Sequence, residues 1–357
     1  MPITSITIRR PDDFHVHFRQ DAENDTRLSS VVHHTARQFG RAIVMPNTSP
    51  FVLTVEDAAR YRDQILQAVP RGVNFTPLMT LYLQAATSPE TIRDAKKCGF
   101  VHGMKLYPAG GTTNSHGGVR KLTDVEEQFA VMQEVGMPLL IHGELADQEC
   151  DVFERETQFY TDAFPWLTSN FPGLPIVCEH ITTATAVEMI ERSSHKRLGA
   201  TITPQHLLAD RNDMLGRGGI RPGYYCMPIL KQGSDRRALL SAATSGNPKF
   251  FLGTDSAPHP MYGEAGKAKY SACGCAGCFT ASCALELYAE AFDSVRQIDR
   301  LGDFASRFGA EFYQLPCNEG MVELVRQEWS PAPKHVFGAS EVATFRAEKP
   351  LQWKLAD

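Results

Sequence analysis

No apolar run in this chain approaches the roughly 20 residues that a helix needs to span a bilayer, which argues against a membrane-embedded protein. The N-terminal stretch MPITSITIRRPDD also lacks the apolar core of a secretory signal, so a cytoplasmic location is expected. There is no excess of positive charge: 36 basic residues against 41 acidic ones leave a net charge of -5, with the two signs well mixed. Such a surface offers no field for holding a phosphate backbone, and nucleic acid is not an expected partner. Low-complexity linkers, charge blocks and internal repeats are missing too. Nine cysteines, an odd number scattered over a long chain, fit free thiols better than a disulfide framework. What is present is an ordinary globular composition, 43% hydrophobic and 22% charged over 357 residues, enough to bury a large core. A small molecule is the default partner.

That length allows one large domain or two smaller ones. Short apolar, β-branched segments recur along it: ITIRRPDDFHVH, RAIVMPN, VNFTPLMTLYL, FVHGMKLYP, MPLLIHGE, LPIVCEH, LGATITP and KFFLGTD. Most are separated by stretches with helical periodicity, such as VEDAARYRDQILQAV, SPETIRDAKKCG, DVEEQFAVMQEVG and TTATAVEMIERSS. Strand alternating with helix is the pattern of a parallel sheet, and eight such units predict a closed (β/α)8 TIM barrel over an open doubly wound sheet. One barrel domain over residues 1–357 is the simplest account.

The predicted strands carry polar residues at their C-terminal ends. His15 and His17 end the first, Asn47 follows the second, Lys105 lies on the fourth, His142 on the fifth, His180 on the sixth and Asp255 on the eighth. Active sites of such barrels lie at that face, because the strand ends converge there and the loops that follow are free to vary. Side chains alternate along a strand, so the two imidazoles of FHVH point the same way and can reach one ion from the barrel axis. Alone, an H-x-H pair more often serves packing or local hydrogen bonds. Its weight comes from HGE, EH and GTD at matching strand ends. The other histidines lack such company. His33 and His34 fall in a predicted helix, His102 has the opposite strand parity to Lys105, and His195, His206 and His335 fall in helical or loop segments, so all six read as surface or core residues.

Imidazole and carboxylate ligands suit zinc, and manganese, cobalt and iron take the same ligand types. Four histidines and an aspartate exceed what one tetrahedral catalytic zinc uses, since such a site keeps a position open for water. A second ion is implied. Two divalent ions about 3.5 to 4 Å apart repel, so an anion should bridge them. The sequence offers Asp255 and a lysine for this. As an ammonium, Lys105 has no lone pair, and its plain reading is an ion pair with a carboxylate at the barrel rim.

Taken together, FHVHFR, MPNT, GMKLYPAGGTTNSHG, IHGE, EHIT, YCMPILK, GTDSAPH and CGCAGCF resemble the dihydroorotases of the compact bacterial type, within the amidohydrolase superfamily of metal-dependent hydrolases. The match runs in order over nearly the whole chain. It implies a lysine carboxylated on its side-chain nitrogen, at Lys105, bridging two zinc ions. His15, His17 and Asp255 would complete the more buried site, and His142 and His180 the other. The implied reaction is the reversible hydrolysis of L-dihydroorotate to N-carbamoyl-L-aspartate, which in reverse closes the ring in pyrimidine biosynthesis, with Asp255 as base and then acid. Arg19, Asn47 and His259 would hold the substrate carboxylate, and Arg19 shares strand parity with the histidine pair. Thr112 and Thr113 match a mobile loop that closes over substrate, and main-chain contacts are implied near Met227 and Ala276. Leucine is common where Met227 stands. A homodimer is the implied assembly.

CGCAGC, with Cys273, Cys275 and Cys278, has spacing that also occurs in metal sites, with Cys283 available as a fourth thiol. The resemblance favours free thiols near the substrate. The preceding segment, HPMYGEAGKAKYSA, is longer than is usual in the family, which makes the places of His259 and Ala276 less secure. Hydantoinases, allantoinases and deaminases are the rival enzyme classes, and Lys105 argues against the mononuclear deaminases. A non-catalytic binding barrel would have lost ligands. A cysteine-based module would leave the strand-end histidines without a purpose.

Overall fold

The segment ITIRRPDDFHVH, expected as one strand, is two. In the computed structural model, which describes residues 3–19, 26–147, 149–216, 218–264 and 266–356, it divides at Arg10–Pro11 into β1 (Ser5–Arg9) and β2 (Asp12–Val16). Proline has no N–H to give a ladder, and Arg10 turns its guanidinium to the carbonyls of Ala36 and Phe39 at 2.6 and 3.1 Å. Only β2 enters the barrel.

β2 is followed by β3 (Arg41–Val44), β4 (Thr76–Tyr82), β5 (Val101–Leu106), β6 (Leu139–His142), β7 (Ile176–Glu179), β8 (Leu198–Ile202) and β9 (Phe250–Leu252), each paired parallel with its neighbour in sequence order. A Val16–Ser256 bridge joins last to first: His17 N–H donates to Ser256 O at 3.0 Å and Asp255 N–H to His15 O at 2.8 Å. The predicted TIM barrel is the observed fold.

Helices Arg27–Ala36, Val55–Ala68, Pro89–Lys97, Glu126–Val135, Phe164–Asn170, Ala184–Arg192 and Gly233–Thr244 lie in the crossovers, and Ala284–Ser294 follows the last strand. Their ends are written in the sequence. Thr54 and Asp57 form a capping box, and the hydroxyls of Ser88 and Thr183 accept from the N–H groups of Thr91 and Ala186, contacts worth about 1 kcal/mol each. Helix 55–68 buries Ala58, Tyr61 and Ile65, a stripe at spacings of three and four that seats it on the sheet.

Inside the barrel, Phe14, Ile43, Leu78, Leu140, Val177 and Phe251 form one apolar cluster, closed by Phe308, Ala310 and Tyr313. Gly199 makes room for it: a Cβ there would come within 2.5 Å of the Phe251 ring. This plug is a floor, and the polar strand ends are left at the other end of the barrel. Outside, β1 pairs antiparallel with β10 (Met321–Trp329), which pairs with β13 (Leu351–Leu355). β11 (Lys334–Phe337) and β12 (Ser340–Ala343) form a hairpin. Ile8, Leu324 and the fully buried Trp353 share one core with the barrel strands and helices.

Candidate active site

Parity places His15 and His17 on one face of β2 and just beyond it, and their Nε2 atoms lie 3.4 Å apart. Asp255, three residues past β9, brings Oδ1 to 3.1 Å from His17 Nε2 and 3.3 Å from His15 Nε2. These three groups converge on one point. His180, immediately after β7, has its ring centroid 5.0 Å from that of His15 and 4.7 Å from that of His142. Lys105, on β5, has its ammonium against the carboxylate of Glu179, with no exposure of the lysine. Glu179 Oε2 also lies 2.9 Å from His15 Nδ1, so this carboxylate joins Lys105 to the histidine pair. All six ligands expected from the sequence therefore meet in one buried constellation. The plain reading of Lys105 holds in part, since it does pair with a carboxylate, but inside the barrel and not at its rim.

Burial favours the neutral imidazole at His15, His17 and His180, and local charge decides the exception. His17 is held down at about 4 by burial, against the pull of Asp255. His180 is held well below its ordinary value by burial and by Lys105. For His15 burial opposes protonation, yet Glu179 and Asp255 outweigh it and raise the pKa to about 9. Burial opposes ionisation of Asp255, and hydrogen bonds from His15 and His17 overcome it, holding the carboxyl well below its usual range.

Three of these positions hold backbone conformations that side chains disfavour. Arg19, His180 and Asp255 have φ of 63, 42 and 44°, all left-handed. Strain at non-glycine residues persists where surroundings over-determine it. Here His180 N–H donates to Thr201 Oγ1 at 2.7 Å, and Asp255 N–H is fixed by the barrel seam. Below His180, Thr182 and Thr183 give both their N–H groups and both hydroxyls to the buried carboxylate of Glu156.

A small cavity opens on the imidazoles, and Arg19, Asn47, Thr112, Thr113, Met227 and Ala276 line it. Asn47 donates to Thr113 O at 3.0 Å while Asn114 donates to Asn47 O at 3.1 Å, which ties the threonine loop to the end of β3. His259 stands behind Arg19: its Nε2 lies 2.8 Å from Arg19 Nη2, and Arg19 Nε donates to Pro258 O at 3.0 Å. Burial and the guanidinium keep His259 well below its ordinary pKa, so Nε2 is the acceptor and the other ring nitrogen is free to serve the main chain of Ala276. The longer segment that begins at His259 leaves Ala276 in the cavity lining, while His259, expected from the sequence to hold the substrate carboxylate, does not line that cavity and reaches it only through Arg19.

A dihydroorotase from Ralstonia pickettii is 51% identical to this chain over 350 residues, covering 98% of each. Another, from Pseudomonas aeruginosa, is 51% identical over 352 residues, 99% of this chain and 98% of that one. The chain belongs to the dihydroorotase family. Among solved structures, dihydroorotase from Campylobacter jejuni superposes with a TM-score of 0.87 at 33% identity, covering 100% of this chain and 99% of that one. Dihydroorotase from Saccharomyces cerevisiae in complex with 5-fluoroorotic acid gives 0.87 at 30% identity, over 99% of each chain. A D-hydantoinase shares the fold, at 12% identity with a TM-score of 0.75 over 98% of this chain and 82% of that one. No family model matches the chain.

Some groups in this dihydroorotase-type site escaped the sequence reading. Glu179 precedes His180 and shares strand parity with Val177 of the barrel interior, a signal that an inward carboxylate was available. Glu144, Oε2 of which is 2.6 Å from His142 Nε2, stands two residues from it in IHGE. Tyr107 lines the cavity two residues after Lys105, with its hydroxyl buried. The histidines set aside stay outside the site, with one change: His335 lies on β11, not in a loop or helix, and its ring is 4.5 Å from that of His34. All nine cysteines are free, and neither candidate metal group among the described residues contains one. No helix among the described residues is long and apolar enough to cross a membrane.

Proposed function

We propose that this chain catalyses the reversible hydrolysis of L-dihydroorotate to N-carbamoyl-L-aspartate, and that its reverse direction closes the ring in pyrimidine biosynthesis. The observation that carries the reading is the shared cavity: the His15–His17–Asp255 cluster and the Arg19 guanidinium open onto one space.

The donor chemistry fits divalent ions. Ligand atoms of His15, His17 and Asp255 all lie within 4.8 Å of one another, as do those of His15, Glu179 and His180, and His180 Nδ1 has no hydrogen-bond partner. Neutral His17 and His180 present lone pairs, and a cation at the first cluster would replace the proton that His15 otherwise keeps. His15, His17 and Asp255 would hold one zinc ion, His142 and His180 a second, with Lys105 carboxylated on Nζ as the shared anion. Burial lowers the pKa of Lys105, against Glu179, toward the neutral amine that adds carbon dioxide. Glu179 at His15 Nδ1 is suited to fix that ring's orientation, as carboxylates behind metal-binding histidines do. When bound, two divalent ions supply an activated water and polarise the scissile carbonyl.

The side chains do the rest. Asp255, ionised at neutral pH, accepts the proton of the attacking water and returns it to the leaving ring nitrogen, base and acid in turn. Arg19, braced by Pro258 and His259, offers a planar fork to the substrate carboxylate, with Asn47 beside it. Thr112 and Thr113 supply hydroxyls, and Met227 and Ala276 main-chain groups, to the rest of the ring. The whole chain acts as one domain, a reading supported by the core that β1, β10 and β13 share with the barrel. Family resemblance makes a homodimer the expected assembly and the cytoplasm the expected location.

A hydantoinase or allantoinase activity is the second reading, supported by the fold likeness to hydantoinases; Arg19 favours the acidic ring. Assay of the purified enzyme on dihydroorotate, dihydrouracil, hydantoin and allantoin tests it. Dihydroorotate is expected to be turned over far faster than the three neutral rings. Faster turnover of any neutral ring would overturn the assignment.

A further inference from the structure

Part of the cavity wall comes from two distant segments, at Met227 and at Ala276 and Gly277. Lys269 lies behind it, only 5% exposed. Its Nζ donates to Tyr225 O at 2.5 Å, Gly277 O at 2.5 Å and Cys275 O at 3.1 Å. An ammonium has three N–H bonds, and all three go to backbone oxygens. No carboxylate is among these partners. Other groups that feel the Nζ charge are the Tyr225 ring, 5.7 Å away, the thiols of Cys226, Cys275 and Cys278, and the imidazole of His259.

A buried cation without a counter-ion is costly, so what it holds matters. Tyr225 O accepts from Gly277 N–H at 3.0 Å as well as from Lys269, so one lysine joins two loops that do not otherwise belong to one element. Peptide planarity carries the clamp further: with Cys275 C=O turned to Lys269, the N–H of Ala276 must point the opposite way. Gly277, at φ 146°, presses on the site so closely that a Cβ would meet Ala257 O at 2.7 Å and His259 Cδ2 at 2.9 Å. Through His259 the wall reaches Arg19.

We propose that Lys269 is a positioning residue, whose ammonium sets the main chain at 225–227 and 275–277, and through His259 the Arg19 fork, at the wall that receives substrate. It touches neither substrate nor reacting atoms. The proposal rests on reading the cavity as the dihydroorotate site.

The test compares Lys269→Met, Lys269→Gln and Lys269→Arg with the wild type, all metal-loaded, for kcat, KM, metal content and unfolding midpoint. For Lys269→Met, KM for dihydroorotate is expected to rise about tenfold with kcat within about threefold of wild type and metal content unchanged, the pattern of lost uniform binding. Lys269→Gln, which keeps two donors, is expected to show a smaller rise. Lys269→Arg, which keeps the charge and several donors, is expected to bring KM back to within about threefold of wild type, on the same kinetic argument. A purely structural role would lower the midpoint and the active fraction while KM of the folded enzyme stayed put. A wild-type KM in Lys269→Met overturns the proposal, and if that variant does not accumulate, a wild-type KM in Lys269→Gln does. A wild type inert toward dihydroorotate overturns the reading of the cavity itself, a failure visible before any variant is compared.

Discussion

Replacing Arg19 by lysine isolates the part that planar geometry plays in holding the substrate acid. A guanidinium has five N–H groups. In this structure Nε–H is used by Pro258 O at 3.0 Å and one Nη2–H by His259 at 2.8 Å, which leaves three for a ligand. A lysine ammonium at the same site would still carry charge, but from one point it cannot brace itself on both neighbours and also form two parallel bonds to a carboxylate. Losing one charge-assisted hydrogen bond costs about 1.5 to 3 kcal/mol, or about 10- to 150-fold in kcat/KM. Because the carboxylate takes no part in bond breaking, the substrate and the transition state should lose alike. KM is therefore expected to carry the change, with kcat nearly constant, in initial-rate measurements on dihydroorotate. A fall in kcat at unchanged KM, or no change in either, would show that Arg19 does not hold the acid.

The remaining predictions concern the metal set and its support. Lys105→Ala should abolish hydrolysis and lower bound metal, read by elemental analysis, from about two ions per chain, because the proposed carboxylated Nζ would be the anion that both ions share; most activity surviving would remove the bridge. Glu156→Ala leaves the N–H groups of Thr182 and Thr183 without their buried acceptor. At about 1 to 3 kcal/mol for each unpaired group, urea unfolding should show about 2 to 6 kcal/mol lost. A loss below about 1 kcal/mol on that scale would mean that these groups find other partners.

The sequence reading was right where a local rule applies. Strand period placed His15 and His17 on one face, and their Nε2 atoms do meet. The alternation of apolar runs with amphipathic stretches gave the barrel, and the barrel rule put His142, His180 and Asp255 at one mouth, with Lys105 buried against Glu179. It failed where a residue's partner lies elsewhere in the chain. The run ITIRRPDDFHVH looked continuous because β1 and β2 are each apolar enough to be strands, and only pairing with β10 shows that β1 belongs to another sheet. Parity marks Glu179 as inward-facing, but its role becomes visible only with Lys105 and His15 on either side of it. Lys269 stood in a segment that read as a mere insertion.

By itself, then, the order of residues determined the barrel's alternation of strand and helix and which donor atoms each barrel strand end presents, since those depend on periods of two and 3.6 and on near neighbours. Tertiary structure decided what those donors do. Arg19 and His259 are 240 positions apart, and Lys269 holds carbonyls 44 and 8 positions away. Charge, burial and hydrogen bonding act through space, over a few ångströms, so a protonation state or a clamp exists only once the barrel has closed.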